Sequence, residues 1–281
     1  MKDWATGIGN YVHNLLERLP GLDPTIDYYF LRNGRPIDGF EVPAPNAQFI
    51  VSPECPDDRW EQEFVPSFLQ AYEIDLFHSP RSGFIAFWPP SRPYVVTLHD
   101  LIPLMFPEKY PAQWIQLIRE RMPAYLSGTE KIIAVSHSVK KDIQKLIPLE
   151  DDRFQVIHQG LETGYGPVPE CTTRARLREQ FKLEGEYIFY IGGFSFRKNV
   201  TTLVKAYSLL PEHLRKVYRL VLGGYRSDDF DEAVGCVNDL GLQEHVLFTG
   251  PARCSDEDVR CLHSQASLFV YPSIYEGFGL P

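Results

Sequence analysis

The chain has 281 residues, 44% hydrophobic and 23% charged, a globular composition at a length that suits two domains better than one. Its formal charge of −9 argues against nucleic acid as a partner, so any phosphate binding has to be local. Five cysteines without C-x-x-C spacing support neither a disulfide framework nor a zinc site and point to a reducing cytoplasm, and no apolar run approaches the roughly 20 residues of a membrane span.

In chain order, Thr6-Gly7-Ile8-Gly9-Asn10-Tyr11 opens a predicted helix on which Ile8, Val12, Leu15, Leu16 and Leu19 share one face. A strand-like run follows at Tyr28 to Leu31. The Pro-rich stretch from Pro36 to Pro56 reads as loop or irregular insertion. Short apolar runs then stand at Asp75 to Phe77, Tyr94 to Leu98, Lys131 to Val135 and Phe154 to Ile157. They end in His78-Ser79, His99-Asp100, Ser136-His137-Ser138 and His158-Gln159-Gly160, a repetition expected of parallel strands whose C-terminal ends face one cleft.

The boundary between halves falls in Glu162 to Glu186, where Gly164, Gly166, Pro167 and Pro169 break the pattern before a basic helix-like run at Arg174 to Lys182, and beyond it the pattern is more regular. Tyr187 to Ile191, Tyr218 to Leu222, Val246 to Thr249 and Leu268 to Tyr271 read as strands, with helices around Val200 to Leu210, Asp231 to Leu240 and Val259 to Ala266. A βαβαβαβ series with glycines at strand ends is the pattern of a parallel, doubly wound sheet. The expected plan is α/β, two Rossmann-like domains facing each other, at residues 1–165 and 166–281.

Five segments carry candidate chemistry, each with a plainer reading beside it. Gly7 and Gly9 let backbone approach a bound group, or simply make a tight turn. His99, just past a strand end, can hydrogen-bond a ligand or be satisfied by a neighbouring carbonyl; Asp100 can orient that ring or cap the next turn. Ser136 is a good helix cap. Gly192, Arg197 and Lys198, between a strand and a helix start, bring two cations and free N–H groups toward anionic oxygen; otherwise they are a solvated pair with Asn199 as N-cap. Glu276, followed by Gly277, Phe278 and Gly279, places a carboxylate and a glycine turn beyond a strand end, where open α/β sheets bind ligands.

Taken together, T-G-I-G-N-Y, H-D-L-I-P, V-S-H-S, V-I-H-Q-G-L, Y-I-G-G-F-S-F-R-K-N and E-G-F-G-L-P resemble, in order and over nearly the whole chain, the retaining glycosyltransferases of family 4, with their GT-B fold. The family signature continues to a second glutamate, which would fall at position 284, and a first strand precedes its glycine loop, so the resemblance implies a fragment lacking both. It implies transfer of a hexose from a nucleoside-diphosphate sugar, GDP-mannose or a UDP-hexose, to a hydroxyl of a glycan or lipid-linked acceptor, with retention at the anomeric carbon. By carry-over, Arg197 and Lys198 hold the diphosphate, Glu276 accepts from hexose hydroxyls and His99 lines the reaction side of the sugar. Gly7, Gly9, Gly192, Gly277, Phe278 and Gly279 belong to the donor site, with Asp100 and Ser136 accessory. No cofactor and no metal are implied, because protein cations balance the leaving diphosphate; location is the cytoplasm, with room for peripheral contact at the inner face of the membrane. A sugar-nucleotide epimerase or phosphorylase of the same architecture, or a fragment that binds sugar nucleotide without catalysis, would use the same residues.

Overall fold

A computed structural model describes residues 7–35, 44–81, 91–161, 166–250 and 254–280. The chain divides into two compact units, Met1–Gln159 and Gly160–Pro281. The first opens on helix α1 (Gly7–Leu22). Pro20, which has no N–H to return to the preceding turn, marks its last turn. Strand β1 (Tyr28–Asn33) pairs in parallel with β2 (Ala47–Ser52). That strand corrects the expectation of a loop over the whole stretch 36–56, of which 36–43 lie outside the described residues. Ala-Gln-Phe-Ile-Val-Ser alternates weakly between prolines, and β1 supplies the hydrogen-bonding partner that the sequence pattern does not reveal.

Helical turns α2 (Asp57–Arg59) and α3 (Val65–Ala71), joined through a π-turn at Trp60–Phe64, run as one rod. Trp60, Phe64, Phe68 and the following Tyr72 stack along it at i, i+4 spacing. Then come β3 (Phe77–Ser79), β4 (Tyr94–Leu98), α4 (Ile102–Met105), α5 (Ala112–Ser127), β5 (Lys131–Ala134), α6 (His137–Leu146) and β6 (Phe154–Val156). The four strands form one parallel sheet in the order β3-β4-β5-β6. Strand β3 starts two residues later than the apolar run suggests, so His78 lies within the strand instead of beyond it. Val96, Leu98 and Ile132 of the sheet, Ile118 and Leu126 of α5, and Val139 and Ile143 of α6 have no exposed surface.

In the second unit α7 (Glu170–Phe181) precedes β7 (Glu186–Ile191), α8 (Val200–Ser208), α9 (Glu212–Val217), β8 (Tyr218–Gly223), α10 (Phe230–Asp239), β9 (Val246–Phe248), α11 (Asp256–Gln265) and β10 (Leu268–Phe269). The sheet is parallel with order β10-β7-β8-β9. Its strands have a two-residue side-chain period. Tyr190, Leu220 and Leu222 pack with Val204 and Tyr207 of α8 and Val237 of α10, whereas Tyr187, Phe189 and Val221 pack with Leu177 and Phe181 of α7 and Leu262 of α11. Both faces are therefore covered by helices, the doubly wound arrangement, and continuous apolar strands are its sequence signature. On the α7 and α11 side, Arg176 reaches Asp258 at 2.5 Å and Glu257 at 2.8 Å, while Asp258 also closes a capping box with Ser255. Among the described residues no helix is long and apolar enough to cross a membrane.

Strand order reverses between β7 and β10, since α8 leads the chain to one side of β7 and β10 returns on the other. In open α/β sheets that reversal leaves a crevice at the carboxyl ends of the two strands, because the flanking loops part in opposite directions.

Candidate functional site

Two groups of candidate residues emerge, one in each unit. In the second unit, β7 ends at Ile191 and the chain turns through Gly192-Gly193 under close packing from the end of β8. A Cβ on Gly224, whose φ is +129°, would overlap the carbonyl oxygen of Gly192, so glycine is the residue both backbones can share. The Tyr190 hydroxyl donates to the Gly193 carbonyl at 2.7 Å, and the Phe194 N–H donates to Ser227 Oγ at 2.7 Å. A single 3₁₀ turn, Phe196–Lys198, then presents the two cations before α8 begins. Asn199 occupies the N-cap position with left-handed backbone (φ 56°), but its side chain does not cap α8. Instead its Nδ2 donates to the Pro272 carbonyl at 3.2 Å, so the alternative of a solvated pair with an Asn199 side-chain cap does not hold.

The loop after β10 closes onto this turn. The Ile274 N–H donates to the Arg197 carbonyl at 2.8 Å. Glu276 takes both cations: Arg197 Nη1 donates to Oε2 at 2.9 Å and Lys198 Nζ to Oε1 at 2.7 Å. Lys198 also donates to the hydroxyl of Tyr271, and its ammonium lies 4.7 Å from that ring's centroid. Burial, reinforced by the Glu276 charge, holds the Tyr271 phenol above its ordinary range, so it stays protonated. Lys198 is only 7% exposed, and an ammonium so desolvated needs its carboxylate partner. Two cations against one carboxylate leave one net positive charge beside the first turn of α8. An anion that displaces or shares Glu276 would meet both cations there.

The residues expected to form the donor site therefore divide. Gly192, Arg197, Lys198 and Glu276 come together at the reversal of strand order. Gly279 has φ +89° and open space where a Cβ would be, so backbone geometry, not crowding, calls for glycine there. Gly277 and Phe278 follow Glu276 on the same loop and are half-buried. Tyr271 was not among the expected site residues, although the sequence placed it at the end of a predicted strand.

In the first unit His99 is 6% exposed, just beyond β4. Its Nε2 lies 2.8 Å from the Pro80 carbonyl oxygen and its Nδ1 lies 3.1 Å from Nε2 of Gln159. The ring of Tyr11, on α1, meets it edge-on at 4.8 Å. The same tyrosine's hydroxyl is 3.2 Å from Thr97 Oγ1, which in turn lies 2.9 Å from Nε2 of His78. Burial lowers the pKa of both histidines, and that of His78 falls to about 4, helped by the neighbouring His99. Both are accordingly neutral near pH 7. Gly7 and Gly9 lie in the first turns of α1, not in a loop ahead of it, and neither has the positive φ of a tight turn. The segment opens the helix as its sequence predicts, and the plainer reading of a tight turn does not hold. Asp100 caps the next turn through an Ile102 N–H bond at 3.1 Å. Ser136 caps α6 by accepting from Val139 N at 3.1 Å. Tyr11, His78, Thr97 and Gln159 complete the group; all four lie in segments the sequence singles out, but none is among the expected site residues.

Two Asp-x-Asp tripeptides, the metal-binding pattern of metal-dependent glycosyltransferases, are present in the sequence at Asp229-Phe230-Asp231 and Asp256-Glu257-Asp258. Both are committed elsewhere. Asp231 pairs with Arg226 at 2.6 Å and Asp258 with Arg176. Among the described residues no group of three or more His, Cys, Asp or Glu side chains is arranged to hold a metal ion.

Residues 5–165 match the sequence profile described as Glycosyltransferase Family 4, and residues 173–281 the one described as Glycosyl transferases group 1. O-antigen chain mannosyltransferase B of Escherichia coli is 31% identical over 217 residues, which cover 76% of this chain and 55% of that protein. The chain thus spans about half the length of that curated relative. Sucrose-phosphate synthase from Thermosynechococcus elongatus superposes with a TM-score of 0.74 at 21% identity, over 98% of this chain and 72% of that one. Anabaena Alr3699/HepE, in its complex with UDP-glucose, gives 0.65 at 18% identity over 90% and 76%. These likenesses fix the fold as GT-B, α/β with parallel sheets. A family profile matched over more than half its residues and a relative above 30% identity, on top of that fold, make this chain a member of glycosyltransferase family 4.

Proposed function

We propose that the protein transfers a hexose from a nucleoside-diphosphate sugar to an acceptor hydroxyl of a glycan or lipid-linked glycan. The observation that carries the reading is the cluster of Arg197, Lys198 and Glu276 at the point where strand order reverses. A diphosphate brings its own charge to two positioned cations and the first turn of α8, and as it leaves, the same groups balance the charge that develops on it. Glu276, released from the cations, has two oxygens with which to accept hydroxyl hydrogens of the hexose. The protein cations take the part that a divalent metal plays elsewhere, so the transfer is metal-independent. Transfer proceeds with retention of anomeric configuration.

The mannosyltransferase relative favours a mannose donor, which makes GDP-mannose the first substrate to try and UDP-hexoses the second. The test is a screen of nucleotide sugars for release of nucleoside diphosphate in the presence of EDTA. Release that survives EDTA supports the reading; activity lost with EDTA and restored by Mn²⁺ overturns the metal-free mechanism, and hydrolysis or transfer of no nucleotide sugar at all overturns the function.

A further inference from the structure

We propose that Gln159 is a positioning residue that fixes His99 as the neutral tautomer with its proton on Nε2 and its lone pair on Nδ1. Two contacts impose that state together. The Pro80 carbonyl can only accept, so Nε2 of His99, 2.8 Å away, must carry a proton. In a neutral imidazole Nδ1 is then an acceptor, and the group 3.1 Å from it is the Gln159 amide nitrogen, a donor. With the amide turned round, its oxygen would call for a second proton on Nδ1 and so for an imidazolium that is 6% exposed. Titratable groups beside the ring include His78 on β3, Tyr11 on α1 and Asp100 on the ring's own loop. Asp100 favours a charged ring, but its Oδ1 is engaged with the Ile102 N–H. His78 opposes a second charge nearby.

The consequence for chemistry rests on the proposed transfer. His99 meets a substrate hydroxyl as an acceptor, through the Nδ1 lone pair that the Gln159 amide otherwise occupies. It faces positive charge developing at a sugar carbon as a dipole, not as a cation. The sequence gives this no sign, because Gln159 and His99 are 60 residues apart and lie at the ends of β6 and β4, two strands that are not neighbours in the sheet.

The test is long-range ¹⁵N NMR of the protein labelled at histidine, with the His99 signals assigned by their loss in His99→Asn. The expected pattern is a protonated Nε2 and an unprotonated Nδ1. Gln159→Glu places an acceptor where the donor stood, which should protonate Nδ1 and raise the titration midpoint of His99 by about one pH unit or more. Gln159→Met keeps the length, removes the donor and should leave the tautomer held by Pro80 alone, with a smaller rise. An unprotonated Nε2 in the parent protein, or an identical His99 midpoint in the parent and both folded variants, overturns the assignment. With an active donor, Gln159→Glu should lower turnover about tenfold or more as pH falls below its raised midpoint, with donor affinity held; partners that orient metal-bound histidines act on that scale. Turnover of Gln159→Glu that follows the parent at every pH overturns the catalytic consequence. Absence of any transfer in the parent defeats the proposed function and leaves the tautomer to the NMR result.

Discussion

Glu276→Gln is the most discriminating change available, because the carboxylate and the diphosphate compete for the same two cations. In the unliganded site Oε1 and Oε2 lie 2.7 and 2.9 Å from Lys198 and Arg197. A diphosphate seated on those cations would come within roughly 6 Å of the carboxylate, and at an effective dielectric near 20 that repulsion amounts to about 3 kcal/mol. The amide removes it. It also removes the ion pairs that hold the cations in place, a loss of about 1–2 kcal/mol that should appear as a fall in Tm of a few degrees. The balance, about 1–2 kcal/mol, predicts that nucleoside diphosphate binds roughly fivefold to thirtyfold tighter to Glu276→Gln. Sugar transfer should move the other way and slow by about tenfold to a hundredfold, since a charged acceptor for the hexose hydroxyls has become a neutral one. Calorimetry with the nucleoside diphosphate and a turnover assay with the intact sugar donor read the two effects separately. A folded Glu276→Gln protein that binds the diphosphate no better than the parent would refute the competition between carboxylate and phosphate.

Gly224→Ala should destabilise the second unit by about 3 kcal/mol or more, since the new Cβ meets the Gly192 carbonyl at a φ of +129°, whereas Gly235→Ala, in α10 with nothing within 4 Å of its Cβ, should stabilise by about 0.5–1 kcal/mol; urea denaturation of both variants checks the pair, and equal effects would contradict the close approach. His78 has a folded pKa of about 4, below its ordinary 6.5, so over that window the unfolded chain binds the extra proton and stability falls as pH falls, by about 3 kcal/mol in all, while above 6.5 the group contributes no pH dependence. A His78→Gln variant should lose that part of the slope in melts taken between pH 4 and 7, and an unchanged slope would place the titration elsewhere. His99→Ala should lower turnover by about 10²–10³ with donor affinity little altered. A variant with a lower Tm but near-normal turnover would make the histidine purely structural.

What the sequence decided by itself was local. A βα alternation with glycine at strand ends specifies a parallel, helix-covered sheet, because such strands are apolar on both faces and such turns need residues without a Cβ. Arg197, Lys198 and Glu276 stood out for a related reason: each lies in a loop that follows a strand, where backbone topology carries side chains toward a crevice. Strand β2 was not legible, because Ala47–Ser52 becomes a strand only by pairing with β1. Nor was the partnership within the site. Glu276 joins Lys198 across 78 residues, Tyr11 joins Thr97 across 86 and Gln159 joins His99 across 60. A motif names the residue types that a site needs, but protonation and pairing depend on which groups the folded chain leaves within 3 Å of one another in a dry place. Burial raises the strength of those contacts and the cost of leaving them unmade, and burial is a property of the tertiary structure alone.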